Sequence, residues 1–457
     1  MSITILGANS ASGEYEISNS IIMGLSSGYM KRTQGTPTKA NKATISFWIR
    51  RACNFGSSQT VLSWDSGGGS QAYLRFANGS DQIQLFNDTA GETDTSIITT
   101  QVVRDPAAWY HFVLQWDSAQ STASNRVKFY LNGEQITSFG TANYPPQNTD
   151  FALNVNGNAI DLGRWAAGSE YLESYLAEFH FVDGTISAHT DFGKFDDNNT
   201  WIPKQYGGVH GDNGFFLKFD QTGTSANASG MGADSSGNGN HLSITDLPSS
   251  AIMTESPNLT WAYLSQISAS DQEGSAGNIE NGGLRLPTGN KVHGLTHDNI
   301  MLDGGKWYFE VYMATSSNFN STIGFRNNDN GDDGPSIEVE NDRQVKKDSS
   351  NVGSSGGNFA NGGVISVKLD WSDTTDRKVE FLYDNGAMSN AGEQTFTDTS
   401  TNSGFRYHGR ETGSGSIQLF NFGQNPGFFG NISAGGNADA NGYGNFQYSV
   451  PNGYYSI

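Results

Sequence analysis

The sequence predicts an all-β protein, with two antiparallel β-sandwiches in series and negligible helix. Aromatic residues make up 12% of the 457 residues and charged residues only 16%, a composition that suits strands better than helices. Apolar and polar residues alternate along many short segments, and no long window repeats its apolar residues about every 3.6 positions. Between these segments lie clusters drawn from the chain's 57 glycines, where turns are expected.

Three strands are predicted in the first half from this alternation. They cover 44–50, 109–116 and 127–131, and each combines β-branched or aromatic residues with period-two patterning. The third strand runs directly into Asn132-Gly133, which predicts a two-residue hairpin turn because both residues tolerate a positive φ.

The second half repeats the order of the first. A strand ending in Trp371, a polar turn and a strand over 379–383 lead into Asn385-Gly386, in the order already seen over 109–133. Two sandwich modules of related build are the simplest account of this repeat. Each module requires two packed sheets, because a single sheet with this many aromatic residues would expose a large apolar face.

The predicted boundaries divide the chain into four parts. Residues 221–240 are almost all small or polar, and Pro248 and Pro257 follow them, a composition that favours loops and connectors. The predicted parts are an N-terminal arm or first strand over 1–19, a first sandwich over 20–245, a linker over 246–262 and a second sandwich over 263–457.

Both halves contain motifs of known sandwich families. The first half resembles a laminin-G-like, concanavalin A-like jelly roll, and the second half resembles a SPRY-type sandwich. The resemblance implies two antiparallel jelly-roll β-sandwiches. In the first half it rests on residues 43–49, 109–113, 127–133, 177–181 and 234–241. In the second half it rests on residues 305–311, 323–325, 364–369, 379–381 and 417–423.

A segment in the first half points to a biological setting. Trp201-Ile-Pro-Lys-Gln-Tyr206, followed by residues 213–219, resembles a sequence cadence of virion proteins from tailed bacteriophages, especially marine ones. The resemblance implies a structural or appendage protein, such as a capsid decoration, head-fibre or tail-associated protein. It would lie on the particle exterior after assembly in the host cytoplasm.

The same resemblance implies which partners to expect. They are other capsid or tail proteins, copies of the chain itself and, as a further class, host-surface glycan. The N-terminal arm would then order on contact with a neighbouring protein, unless residues 1–19 form the opening strand of the first sandwich. The alternative function is a receptor-binding adhesin that recognises host polysaccharide, and a glycoside hydrolase is the third candidate.

Charge and cysteine content further narrow the partners and the protein classes that the sequence allows. A formal net charge of −20 disfavours nucleic acid as a partner, because such surfaces cluster Lys and Arg. No apolar stretch approaches the ~20 residues that cross a bilayer, so no membrane insertion is expected, and no secretory signal is visible at the start. The one cysteine, Cys53, excludes a disulfide framework and is expected to be a buried apolar residue.

No catalytic residue is predicted. Glu338, Glu340 and Asp342 alternate along one predicted strand and are expected to be solvated and ionised together, so none is singled out as the protonated acid that glycoside hydrolysis requires. In the first module, Glu178 and His180 share a strand face but lack a further carboxylate. The chain is therefore predicted to bind and not to cleave.

Calcium is the one candidate cofactor. Asp329, Asp333 and Glu340 occupy positions 1, 5 and 12 of a loop with Gly334 at position 6, which is similar to a calcium loop. Gly331 supplies no side-chain oxygen at position 3, so the loop is not an EF-hand. Two further candidates in the first module are Asp65 and Asp234.

Two loop-adjacent aromatic residues are the candidates for glycan recognition. Trp165 follows Gly163-Arg164, and Tyr171 lies between two glutamates. Sugar recognition combines exposed aromatic faces with nearby amides and carboxylates, and aromatic residues next to loops rich in Asn and Asp could stack on a sugar in this way. The competing interpretation is that they fill the sandwich core, as most aromatic residues in the chain are expected to do.

Overall fold

The all-β prediction is confirmed by the structure, a computed structural model. Among the described residues, one compact unit ends at Thr260 and the next begins at Trp261. The helical segments of the described residues are single 3₁₀ turns: Leu25–Ser27, Ala123–Asn125, Ala152–Asn154, His189–Asp191, Ser249–Ala251 and Asn281–Gly283. The structure describes residues 15–51, 55–89, 94–264, 279–293, 304–314, 321–327, 336–340, 342–353, 357–373, 375–387, 391–397, 405–411 and 416–457.

The first unit is a β-sandwich of two large antiparallel sheets. Its strands are β1 (Ser20–Ile22), β2 (Tyr29–Thr33), β3 (Lys42–Arg51), β4 (Gln59–Asp65), β5 (Gln71–Phe76), β6 (Gln82–Asp88), β7 (Thr95–Val102), β8 (Tyr110–Asp117), β9 (Val127–Leu131), β10 (Glu134–Ile136), β11 (Phe139–Asn143), β12 (Ala159–Leu162), β13 (Ser174–Asp183), β14 (Gly193–Phe195), β15 (Trp201–Pro203), β16 (Phe215–Leu217), β17 (Ser243–Thr245) and β18 (Ile252–Met253). The first sheet has the order β10-β9-β8-β3-β13-β1-β18, with β16 also paired to β13. The second sheet has the order β11-β7-β6-β5-β4-β12-β2-β17.

Alternation along the central strands builds the core between these sheets. On β3, Phe47 and Ile49 line the space that Leu74 and Phe76 of the second sheet line from the other side. The Phe47 ring also lies 5.4 Å from the ring of Phe112 on β8. Because successive side chains of a strand point to opposite faces, the neighbours of these residues lie on the outer faces of the two sheets.

The turn predicted at Asn132-Gly133 is confirmed. Glu134 pairs with Leu131, and the two residues between them have φ values of 48° and 82°, as the primed two-residue turn requires.

The outer face of the first sheet is covered by residues 189–206, which we call the covering segment. Strands β14 and β15 form a two-stranded ribbon, and Trp201 of this ribbon is only 8% exposed. Its Nε1 donates a hydrogen bond to Nδ1 of His111 on β8 at 3.0 Å. A Cβ atom would lie 2.3 Å from the Trp201 ring at Gly133 and 2.5 Å from it at Gly193, so these glycines leave room for the indole.

Much of the predicted linker over 246–262 belongs to the first unit. Strand β18 pairs with β1 and extends the first sheet. The Glu255 carboxylate is fully buried, lies 3.5 Å from Nε of Arg50 and accepts a hydrogen bond from Trp109 at 3.1 Å. The guanidinium of Arg50 also lies over the Tyr175 ring at 4.3 Å. This buried charge pair attaches the segment to the sandwich.

The described part of the predicted N-terminal arm also lies on the first unit. The N–H of Ile17 donates to Oδ1 of Asn258 at 2.9 Å, and the hydroxyl of Tyr15 donates to Glu178. Residues 1–14, which hold most of the arm, and Cys53 lie outside the described residues.

The second unit also contains two sheets. Its strands are β19 (Arg285–Leu286), β20 (Asn290–His293), β21 (Lys306–Ala314), β22 (Ser321–Asn327), β23 (Ser336–Glu340), β24 (Val345–Lys347), β25 (Ser350–Val352), β26 (Val364–Asp370), β27 (Asp376–Tyr383), β28 (Gly386–Ala387), β29 (Gln394–Thr397), β30 (Phe405–Glu411), β31 (Ile417–Asn421) and β32 (Tyr455–Ser456). The third sheet has the order β19-β31-β21-β26-β27-β28, with β29 paired to β27 and β32 to β21. The fourth sheet has the order β20-β30-β22-β23-β24-β25.

Aromatic residues join these two sheets, and a buried carboxylate anchors the C-terminal segment. The ring of Tyr407 on β30 lies 6.1 Å from Phe309 on β21. Glu310 is fully buried and accepts hydrogen bonds from the backbone N–H groups of Gln447 at 2.8 Å and Tyr448 at 2.9 Å. Burial raises the pKa of Glu310, although these hydrogen bonds oppose the shift.

The second predicted hairpin turn lies one residue earlier than expected. Gly386 pairs with Tyr383, so the two-residue loop is Asp384-Asn385, with φ values of 47° and 64°. Asp and Asn both tolerate the left-handed region, and the glycine predicted for the turn begins β28 instead.

Candidate functional site

An aromatic surface lies on the outer face of the second sheet. On β5, Tyr73 and Arg75 alternate with Leu74 and Phe76, which are buried in the core, so they point outward. The ring of Tyr73 stacks on that of Phe86 of the neighbouring strand β6, with centroids 5.2 Å apart and an interplanar angle of 17°. Phe86 is half-buried. The outer face therefore offers aromatic surface that the sandwich core does not use.

A hairpin over residues 163–172 lies over this surface. The N–H of Leu172 donates to the Gly163 carbonyl at 2.9 Å, and the N–H of Trp165 donates to the Ser169 carbonyl at 2.8 Å. Gly163 has a φ of 93°, which glycine adopts without strain, and a Cβ there would lie 2.1 Å from Cε of Met23, so a larger residue would also displace that methyl group. The hairpin brings the half-buried Trp165 ring edge-on to Tyr73, at 5.3 Å and 85°.

Polar side chains fix the position of the hairpin. Nη1 of Arg75 donates to both carboxylate oxygens of Glu170, at 2.9 and 3.0 Å. Glu170 also accepts from the hydroxyl of Thr60 at 3.0 Å, and it adopts a left-handed φ of 52°. Nε of Arg75 donates to Oε1 of Gln84 at 3.0 Å, and its guanidinium lies 4.2 Å from the Tyr73 ring centroid. These contacts hold the polar groups in one arrangement before any ligand binds.

The other arm of the hairpin is held at a second point. Nε of Arg164 donates to Asp161 at 2.7 Å, and its guanidinium lies over the Tyr29 ring at 3.3 Å. Burial alone would lower the pKa of Arg164, but hydrogen bonds with Asp161 and Tyr171 raise it. Tyr171 is therefore a partner of this arginine, whereas Trp165 is a partner of Tyr73.

The phenol of Tyr73 stays protonated in this setting. Burial, with a smaller contribution from the charge of Glu170, raises its pKa, and Arg75 opposes the shift only in part. The surface thus presents a neutral aromatic platform beside an ion pair.

The two predicted glycan residues are brought onto one hairpin, on the outer face of the second sheet. Sequence reasoning did not identify Tyr73, Phe86, Arg75, Gln84 and Glu170 as members of the same surface. A signal for two of them was present, since Tyr73 and Phe86 are aromatic residues on the outer side of alternating strands, although the Tyr73 side chain is only 8% exposed. Glu170 reaches the surface through a contact with Arg75 that strand patterns do not reveal.

The predicted calcium residues are only partly described. Asp329 and Asp333 lie outside the described residues, and Glu340 forms an ion pair with Lys346 at 2.7 Å. The half-buried Asp65 caps its own turn by accepting the N–H of Gly67 at 2.6 Å. No group of three His, Cys, Asp or Glu side chains suited to a metal ion occurs among the described residues.

The other first-module calcium candidate is fully engaged within its loop. The two carboxylate oxygens of Asp234 accept hydrogen bonds from the backbone N–H groups of Phe216, Ser236 and Asn240 and from the Ser236 hydroxyl. The distances are 2.8 to 2.9 Å. This chemistry is that of a structural turn.

The acidic strand of the second unit differs from the expectation. Glu338 is 5% exposed and forms an ion pair with Arg326, so it is not a solvated carboxylate. Its neighbour across the sheet is Gly324, where a side chain would collide with the Glu338 backbone. The absent side chain leaves space for the arginine-bound carboxylate. Asp342 accepts the N–H of Gln344 at 3.0 Å.

Glu178 and His180 do not share a strand face in the regular way. A bulge interrupts β13 between Ala177 and His180, and Glu178 has a φ of 47°. The closest approach of the two side chains is 3.9 Å. Both are buried, and the His180 ring stacks on Phe216 at 4.0 Å. Phe192 and Tyr206 pack against the His180 ring at 5.3 and 5.5 Å, and Tyr15 donates a hydrogen bond to Glu178.

Comparisons with known proteins agree with the sandwich architecture. Residues 25–190 match the laminin G family model described as the concanavalin A-like lectin/glucanases superfamily, and these residues lie in the β-sandwich of the first unit. No curated protein matches the chain in sequence. No helix among the described residues is long and apolar enough to span a membrane.

Solved structures show low similarity. Domains LG4-5 of the mouse laminin α1 chain share 11% identity, covering 90% of this chain and 84% of that chain, with a TM-score of 0.29. Tailspike protein 2 of an Escherichia coli O157:H7 bacteriophage shares 16% identity over 38% of this chain and 23% of that chain, with a TM-score of 0.28. The SPRY domain of human HERC1 shares 14% identity over 31% of this chain and 89% of that chain, with a TM-score of 0.22. At these TM-scores the likenesses carry no argument about function.

Proposed function

We propose that the chain is a non-enzymatic saccharide-binding protein, and that its first unit holds the saccharide on the outer face of the second sheet. The observation that carries this proposal is the platform of Trp165, Tyr73 and Phe86, which is fixed by Arg75 and Glu170. The C–H faces of sugar rings pack against aromatic rings, and a few convergent polar groups orient the hydroxyls.

The wider setting of this activity is the exterior of a tailed-bacteriophage particle. The supporting observation is the resemblance of residues 201–206 and 213–219 to such virion proteins. In that setting the chain is a structural or appendage protein, its partners are capsid or tail proteins and copies of itself, and the bound saccharide belongs to the host surface. Many copies per particle would convert weak single-site binding into firm attachment.

Binding without cleavage is favoured by the state of the buried carboxylates. Glu338 is ion-paired with Arg326, and the buried Glu178 accepts a hydrogen bond from Tyr15. Neither forms the pair of acids on an open groove that glycoside hydrolysis uses. If the wild type releases reducing ends from bacterial surface polysaccharides and the Glu178→Gln or Glu338→Gln variant does not, the non-enzymatic proposal is overturned.

The binding proposal is tested with a panel of immobilised bacterial surface polysaccharides. Trp165→Ala is expected to weaken binding of the retained polysaccharide at least ~10-fold, because truncating a central aromatic anchor costs about 2 kcal/mol or more and about 1.4 kcal/mol is already tenfold. Phe195→Ala is the matched control: it removes an aromatic side chain that is 42% exposed on the covering segment. Equal binding by both variants, or loss with Phe195→Ala alone, contradicts the proposed surface.

The virion setting has its own test. Mass spectrometry of purified particles from a phage encoding the chain should detect it, and deletion of residues 2–14 should remove it from particles while the protein stays folded. A chain absent from particles contradicts this part of the proposal without affecting the binding part.

A further inference from the structure

We infer that the saccharide bound on this surface is uncharged, and that its binding depends little on salt. This inference rests on the proposed function and names the ligand class of the same surface. It follows from the charges on the outer face of the second sheet and from the hydrogen-bonding groups that remain available there.

The central cation of the surface is already neutralised. Arg75 and Glu170 are 21% and 25% exposed, and Nη1 of the arginine contacts both carboxylate oxygens. A carboxylate or sulfate on a ligand would have to compete with Glu170 for this guanidinium. The competing charge is fixed in place by Thr60, so the ligand would gain little attraction from Arg75.

The second cluster of charged groups on the face is offset by nearby carboxylates. The buried Asp161 carboxylate accepts a hydrogen bond from Arg164 at 2.7 Å and lies 3.7 Å from Nζ of Lys31. One positive charge remains in excess at this point, on a lysine that is 44% exposed and therefore screened by water and salt. Asp65 and Asp88, at outward-facing positions of β4 and β6, place negative charge on the same face. An acidic polysaccharide would meet no positive field here.

Neutral donors are available beside the aromatic rings. Within the described residues, Nε2 of Gln84 makes no hydrogen bond although its Oε1 is held by Arg75. The Trp165 indole N–H is likewise without an acceptor among the described residues, and both side chains are half-buried. An amide and an indole N–H beside stacked rings suit the hydroxyl oxygens and C–H faces of an uncharged sugar.

Calorimetric titration of the full chain tests the inference with two sets of hexasaccharides. One set is neutral (gluco-, xylo- and manno-oligosaccharides) and the other is acidic (oligogalacturonate and oligoalginate). We expect binding of at least one neutral hexasaccharide, with a dissociation constant that changes less than ~2-fold between ~20 mM and ~300 mM NaCl. Acidic hexasaccharides are expected to bind at least ~10-fold more weakly.

A charge variant sharpens the test. Glu170→Gln leaves Arg75 without its counter-charge, so this variant is expected to gain affinity for oligogalacturonate at low salt and to lose that gain at high salt. Glu134→Gln, which removes an exposed carboxylate on β10 of the first sheet, is expected to change nothing.

The outcomes separate the inference from the proposed function. Preference of the wild type for acidic hexasaccharides, with salt-sensitive affinity abolished in Trp165→Ala, overturns the inference and leaves the binding surface intact. If the wild type binds none of the hexasaccharides and none of the immobilised polysaccharides, both the inference and the proposed function are overturned.

Discussion

The outer faces of the two sheets of the first unit are built for different purposes. The first sheet is closed by a ribbon, buried histidines and a buried Arg50–Glu255 pair, so its outer side chains stabilise the fold. The second sheet leaves Tyr73 and Phe86 under a single hairpin, with half-exposed polar groups held in place. The comparison teaches that aromatic content alone does not mark a binding face, because both faces are aromatic. What differs is how completely the rings are covered: Trp201 on the first sheet is 8% exposed, whereas Phe86 and Trp165 on the second sheet are only half-buried.

The largest expected effect comes from two matched tryptophans. Trp201→Ala should lower the free energy of unfolding by about 4 kcal/mol, because it removes a buried ring that packs between two glycines and bonds to His111. Trp165→Ala should cost less than about 1 kcal/mol, because its half-buried ring covers an open face. Urea unfolding of the two variants measures the contrast. Similar losses would show that the two faces do not differ as described.

A smaller loss is expected where the 246–260 segment joins the first sheet. Glu255→Ala leaves the Arg50 guanidinium buried near Tyr175 without its carboxylate, which should cost about 3 kcal/mol. Glu134→Ala removes an exposed carboxylate and serves as the control, with a change within about 0.5 kcal/mol. If Glu255→Ala behaves like its control, this segment acts as part of the 246–262 linker that the sequence predicts.

The covered face should also make the first unit sensitive to acid. The Trp201 N–H donates a hydrogen bond to Nδ1 of His111, and Nε2 of the same ring lies 2.9 Å from the Ser46 hydroxyl. Because Nδ1 accepts a hydrogen bond, it carries no proton, and the ring is neutral. Burial, with nearby His180 and His189, lowers the pKa of His111 to about 3. In the unfolded chain His111 binds a proton below pH ~6.5, whereas in the folded protein it stays neutral down to its lowered pKa. The free energy of unfolding that is present above pH ~6.5 therefore decreases as the pH falls from ~6.5 toward the folded-state pKa.

Between these two pKa values, His111 alone should lower the free energy of unfolding by about 1.4 kcal/mol for each pH unit of acidification. Urea unfolding of wild type and His111→Gln between pH ~7 and ~4 measures it, and the variant should show the shallower dependence. Equal slopes would mean that His111 takes up no proton on unfolding.

Sequence patterns predicted much of the strand framework and part of the site. The alternation at 44–50 and 109–116 places Phe47 and Phe112 in the core, and Asn132-Gly133 forms the turn that its residue types favour. These features depend on neighbours in sequence and on burial of one strand face. Trp165 was identified because it follows a glycine near a polar loop, which is also a local signal.

The remaining features depend on contacts between distant residues. The burial of Glu255 requires Arg50, and the orientation of Glu170 requires Arg75; neither pairing leaves a periodic trace. The second hairpin was mispredicted by only one residue. Asp384-Asn385 and Asn385-Gly386 are both pairs that can form a two-residue turn, and the pairing of the two strands decides between them. The covering ribbon consists of strands too short to be predicted by alternation.

Hydrogen–deuterium exchange with a saturating oligosaccharide tests the central claim most directly, because it compares the two faces in one experiment. The ligand should slow exchange in peptides covering 71–76, 82–88 and 163–172, and leave peptides covering 189–206 unchanged. Slower exchange confined to 189–206, or to the second unit, would contradict the assignment of the binding surface to the second sheet.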